Sequence, residues 1–123
     1  MRPFRIEDLL WLEKFVKEQG QWENLLRALS HGVYASVIAE EAIGVIWKDE
    51  CHGYVIGGLT NLPHIKSAVV LAKNLVDAAV KTGMNLHTHD KEGTLGRKLF
   101  RRLGFIQDGD ALWLAVPVKE KEI

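Results

Sequence analysis

The stretch from Tyr54 to Phe105 constrains the fold of this chain more than any other. A strand-like run, Tyr54-Val-Ile-Gly-Gly-Leu-Thr60, is followed by a helix-like run from Ile65 to Thr82. A short strand-like run, Asn85-Leu-His-Thr-His89, and a second helix-like run from Glu92 to Leu103 come next. Strands alternating with helices of this length predict βαβ units, two parallel strands joined by a right-handed crossover. Open sheets of this kind bind ligands at strand carboxyl ends, where helix amino ends favour anions. The turn after Thr60 is therefore the first place to expect a small-molecule site.

The preceding half reads differently. Arg2-Pro-Phe-Arg-Ile6 is short and partly extended, and Pro3 restricts it to an edge strand or a strand start. Glu7 to Lys17 predicts a helix with Leu9, Leu10, Leu12, Phe15 and Val16 as its apolar stripe, Glu7 and Asp8 at the positive end of its dipole, and Gly20 as its stop. Gln21 to Leu29 predicts a second helix, with Trp22, Leu25, Leu26 and Leu29 at helical spacing. Val33 to Ala39, Ile43 to Trp47 and about His52 to Leu59 follow, separated by the polar breaks Glu40-Glu-Ala42 and Lys48-Asp-Glu50. Short strands with short breaks predict an antiparallel meander. Gly57-Gly58 within the last of them suggests a bulge or a close backbone approach.

In the long helix, Val69, Ala72, Leu75, Val76, Ala79 and Val80 form the predicted buried face. Lys66, Lys73 and Lys81 mark the wetter side, and Gly83 ends the helix. The following strand alternates Leu86 and Thr88 with Asn85, His87 and His89. The last helix carries Leu95, Leu99, Phe100 and Leu103 as its stripe and Gly104 as its stop. Asp108-Gly-Asp110 predicts a hairpin turn between Phe105-Ile106 and Leu112 to Val116. The expected fold is α/β (α+β), a mixed central sheet of about six to seven strands with an antiparallel amino-terminal meander, a βαβ half and about four flanking helices. It occupies one domain, residues 1–118, with a charged tail at 119–123.

At 123 residues and 47% hydrophobic, the chain can bury a core of its own. Lys+Arg and Asp+Glu are 16 each, and zero net charge gives no electrostatic case for nucleic acid or an anionic membrane. The single Cys51 rules out an internal disulfide and fits a reducing compartment. Arg2, Arg5, Glu7 and Asp8 exclude a signal peptide at the amino terminus. No uncharged apolar run reaches the ~18 residues of a membrane span. These features predict a soluble cytoplasmic protein.

His87-Thr-His89-Asp90 is the most unusual polar cluster. Histidines two apart on a strand point the same way and suit acid–base work or a metal. A zinc site needs more ligands than this pair, so no metal is expected. Cys51-His52 lacks the partner cysteine of a metal motif, and His64 is notable only for its place at the strand–helix turn. Arg97, Lys98, Arg101 and Arg102 give the last helix a basic face, either solvated or suited to a phosphate. Trp11, Trp22, Trp47 and Trp113 fit core anchors or an interface, which leaves room for a homodimer.

Leu99-Phe-Arg-Arg-Leu-Gly-Phe105 resembles the Leu-Tyr-Glu-Lys-Leu-Gly-Phe segment of the GNAT superfamily, the Gcn5-related N-acetyltransferases. Lys81-Thr-Gly83 resembles the Arg-x-Gly that ends that family's long helix, and Arg5-Ile-Glu-Asp-Leu9 resembles its usual opening. The short chain looks most like the small divergent GNAT-like proteins of tailed phages. The resemblance implies acetyl-CoA in a cleft between the Tyr54–Thr60 and Asn85–His89 strands. Leu59, Thr60, Leu62, Lys66, Ser67 and Phe100 would then serve the cofactor, mostly by backbone, with His87 or His89 as proton carrier.

Two parts of the family pattern are missing. Ile65-Lys-Ser-Ala68 stands where the phosphate-binding glycine loop would be, and no glycine occurs between Gly58 and Gly83. Phe100 stands at the place of the tyrosine that protonates the leaving thiolate, and Gly93 at that of an asparagine. Phenylalanine has no proton to give, although positioning an amine against a thioester supplies much of the rate. The resemblance leaves two readings: an acetyl-CoA-dependent N-acyltransferase acting on an amine, or a GNAT-like scaffold that has lost catalysis and binds protein, as in phage assembly or host takeover. A third, unrelated reading is a nucleic-acid binder using the Arg97–Arg102 face.

Overall fold

A computed structural model describes residues 1–49, 53–61, 65–88, 95–108 and 111–114. The elements, in order, are β1 (Arg2–Pro3), a 3-10 turn (Ile6–Asp8), α1 (Leu9–Glu18), α2 (Trp22–Ser30), β2 (Gly32–Ile38), β3 (Ala42–Asp49), β4 (Gly53–Thr60), α3 (Ile65–Lys81), β5 (Leu86–Thr88), α4 (Leu95–Arg102), β6 (Ile106–Asp108) and β7 (Ala111–Leu114). The chain is thus mixed α and β, with one mixed sheet in the order β1-β2-β3-β4-β5-β7-β6. The meander β2–β3–β4 is antiparallel, and β1, which carries Pro3, pairs antiparallel with β2 at the edge of the sheet. The βαβ unit is present as the parallel pair β4–β5, with α3 between them in sequence. The proposed tail at 119–123 and the hairpin residues Gly109 and Asp110 lie outside the described residues.

Alternation along the strands divides the apolar residues between two cores. Val37, Ile43 and Val45 pack with Leu12, Phe15 and Val16 of α1 and Leu25 and Ala28 of α2. On the other face, Ile46, Ile56 and Leu86 pack with Ala72, Leu75, Val76 and Ala79 of α3, Phe100 of α4 and Phe105. Each helix buries one stripe and leaves the rest wet, as an amphipathic helix on a sheet must.

The stripes differ in detail from the sequence expectation. Leu10 is 85% exposed, because two residues of helix separate it from Leu12 by about 200°. Leu26 is partly exposed and Ala28 is buried in its place. In α3, Leu71 is buried and Val69 is exposed, which turns the stripe to residues 71, 72, 75, 76 and 79. The first helix opens as a 3-10 turn, because the Asp8 carboxylate folds back to accept from the Arg5 backbone N–H at 2.8 Å.

The glycine stops behave as read. Gly20, Gly83 and Gly104 all take positive φ. Beyond Gly83, the Met84 N–H reaches back to the Ala79 carbonyl at 2.9 Å and closes the helix. The Gly57-Gly58 pair is a close approach and not a bulge, since β3–β4 register runs unbroken from Ala42↔Thr60 to Asp49↔Gly53. A Cβ on Gly57 would lie 3.1 Å from the Trp47 ring, and one on Gly58 would lie 2.8 Å from the Ile43 carbonyl oxygen. The register shift in this sheet falls instead between Gly32 and Tyr34.

Candidate functional site

The carboxyl end of β4 and the start of α3 meet at a residue from neither element. Glu41, in the tight turn between β2 and β3, accepts through its backbone carbonyl from the Asn61 N–H at 2.8 Å and from Thr60 Oγ1 at 3.4 Å. Its carboxylate accepts a hydrogen bond from Ser67 Oγ in the first turn of α3. The Thr60 carbonyl accepts from Gln19 Nε2 at 3.0 Å, which brings the end of α1 to the same place. The turn is tight because Ala39 takes a left-handed φ of 43° and the Glu41 N–H bonds the Ile38 carbonyl at 3.0 Å. Thr60 and Ser67, both expected to face a cofactor, are thus brought together with Glu41 between them.

The electrostatic consequence follows from the carboxylate. A helix amino end attracts an anion by up to about 2 kcal/mol in favourable geometry. Like charges about 4 Å apart repel by about 4 kcal/mol at an effective dielectric near 20. With Glu41 bonded to Ser67, the first turn of α3 already holds a carboxylate, which opposes a second anion at the same place. Lys66 is exposed beside it.

The remaining candidates are dispersed. Leu59 is half-buried and packs on the α1–α2 side of the sheet, while Thr60 lies on the α3 side. Phe100 is buried and tilted against Phe105, ring centroids 5.1 Å apart, within the core that includes Leu86. His87 is fully buried at the centre of β5, in register with Val55 on one side and Trp113 on the other. Alternation puts it on the opposite sheet face from Leu86, so it does not meet Phe100. Leu62 and His89 lie outside the described residues, as do Cys51, His52, His64, Asp90 and Gly93.

Among the described residues, no three of His, Cys, Asp and Glu are grouped so as to hold a metal ion, and no helix is long and apolar enough to cross a membrane.

A second polar centre lies under the amino terminus. The Asp8 carboxylate accepts from Arg2 Nη1 and Nη2, from the Arg5 N–H and from Trp11 Nε1 at 2.9 Å. The Arg2 guanidinium holds the Asp8 carboxyl below its ordinary 3.8, at about 2, against the opposing effect of burial. All the partners are local, and the arrangement fastens β1 to α1.

Sequence reasoning missed Glu41. Two acids in a short polar break look solvated, and only the folding of the β2–β3 hairpin beside α3 gives one of them a partner. Comparison with known protein families, with characterised proteins and with solved structures finds no match.

Proposed function

We propose that the chain is a GNAT-like scaffold that acts by binding a macromolecular partner and does not transfer acyl groups. The GNAT-like part is supported by the Leu99–Phe105 segment and by an antiparallel run joined to a parallel strand pair. The observation that carries the loss of transfer is the Glu41 carboxylate bonded to Ser67, at the helix start where a pyrophosphate would need to sit. Phe100 in the core and the fully buried His87 agree with it, since neither can serve an acyl donor from where it lies.

A second reading, an acetyl-CoA-dependent N-acyltransferase, is favoured by one feature. Among the described residues, β4 and β5 are bridged only at Tyr54↔Leu86 and Val55↔His87, while Thr88 pairs with Leu112 of β7. A parallel pair joined at one end leaves room for a ligand toward the other. His89 would then be the proton carrier.

A thermal melt with acetyl-CoA, CoA and a nucleotide lacking the pantetheine arm separates the two. Ligand at ~100 times its Kd adds roughly 2.7 kcal/mol, a rise on the order of 10 °C for a small domain. The binding reading expects no shift at millimolar ligand. A rise with both CoA forms and not with the control would overturn it and direct attention to His89→Ala kinetics.

A further inference from the structure

The balanced net charge conceals a segregation that only the fold reveals. α3 and α4 cover the same face of the sheet, both packing on the core around Leu86. Their outward surface carries Lys66, Lys73, Lys81, Lys98, Arg101 and Arg102, all exposed. Asp77 is the one exposed acid on these two helices among the described side chains, and none of the six cations is paired with an acid there. The opposite face is mixed, with exposed Glu13, Glu18 and Glu23 beside Lys14, Lys17 and Arg27. Spacings of seven and eight residues keep Lys66, Lys73 and Lys81 on one side of α3, separated by about 10 and 12 Å along its axis. The residues of α4 add a second basic group beyond it.

We propose that this α3–α4 face docks on the phosphate backbone of nucleic acid. Rows of cations along two helices are what a phosphodiester chain requires, and they read no sequence. A protein partner asks in addition for aromatic or large apolar anchors. Among the described side chains of these two helices, the exposed large apolar residues are Val69 and Val70, at 40% and 47%. The same two valines give a membrane surface little to insert around. The placement of charge stands independently of whether acyl transfer is lost, so this proposal and the preceding one can fail separately.

The test is anisotropy of labelled DNA duplex, DNA single strand and RNA duplex, titrated with the full chain across salt concentration. Six phosphate contacts give a slope of log K against log salt of about −5, or ~10³-fold weaker binding between about 50 and 200 mM salt. Arg101→Glu/Arg102→Glu should flatten the slope by about two. Arg101→Gln/Arg102→Gln should do the same with less disturbance, and far-UV circular dichroism checks that each variant is folded. Lys14→Glu/Lys17→Glu, on the opposite face, should leave the slope unchanged. No binding at about 50 mM salt, an equal effect of the α1 variant, or equally tight binding of polyglutamate would each overturn the proposal, the last in favour of an acidic protein.

Discussion

At the residue scale, Asp8 is 2% exposed and its carboxylate accepts from Arg2, from the Arg5 N–H and from Trp11. A carboxyl depressed from 3.8 to about 2 stabilises the fold above its unfolded value, and that contribution is lost as pH falls through about 2. We expect on the order of 1–2 kcal/mol, discounted because the Arg2 side chain is 41% exposed. Urea unfolding at pH 5 and pH 2 should show the loss, and Asp8→Asn should show a smaller dependence over the same window. The glycines supply a second test. A Cβ on Gly44 meets the end of the Leu75 side chain at 2.6 Å, which can move, whereas one on Gly58 meets the Ile43 carbonyl at 2.8 Å, which cannot without breaking the ladder. Gly44→Ala should cost about 1 kcal/mol and Gly58→Ala about 3 kcal/mol. Equal midpoints in denaturant would contradict that ordering.

At the scale of elements, periodicity and punctuation made most of the architecture legible. The crossover from β4 through α3 to β5, the meander and the three glycine stops follow from patterns a chain cannot adopt otherwise. What remained hidden was the angular setting of each helix, where Leu71 displaces Val69 and Ala28 displaces Leu26. A stripe is visible in sequence, but its centre depends on which sheet residues it meets. Gly44, which lets α3 approach β3 at Leu75, is separated from that helix by a whole strand. The Glu41–Ser67 bond was hidden for the same reason, since its partners are brought together by a hairpin, a strand and a helix. Its worth can be measured by a double-mutant cycle. Glu41→Gln and Ser67→Ala should each cost about 1–2 kcal/mol, with a coupling of about 1 kcal/mol, because a hydrogen bond to a charged group exceeds a neutral one. Additive effects would mean that the contact does not stabilise the turn. Ala39 offers the converse: at φ 43° an alanine is strained, and Ala39→Gly should be neutral or stabilising by up to about 1 kcal/mol despite glycine's greater freedom when unfolded.

At the scale of the whole molecule, two apolar cores share one sheet, one on each of its faces. β3 contributes Ile43 and Val45 to the α1–α2 core and Ile46 to the α3–α4 core, so neither layer can lose its partner strand alone. This predicts one cooperative unfolding transition. Leu12→Ala and Leu75→Ala remove buried side chains on opposite faces, and each should cost about 2–5 kcal/mol. The tryptophans provide a built-in probe, since Trp11, Trp22 and Trp47 all pack on the α1–α2 core. Read in a Trp113→Phe background, their fluorescence reports one layer, while far-UV circular dichroism reports both. The two signals should give the same denaturant midpoint in the parent chain and in both variants. If Leu12→Ala shifts fluorescence ahead of circular dichroism, the α1–α2 layer unfolds on its own and the α3–α4 face is the more stable unit. Coincidence in both variants means that strain introduced under one face reaches the other through β3, and that the basic face is held by the whole domain.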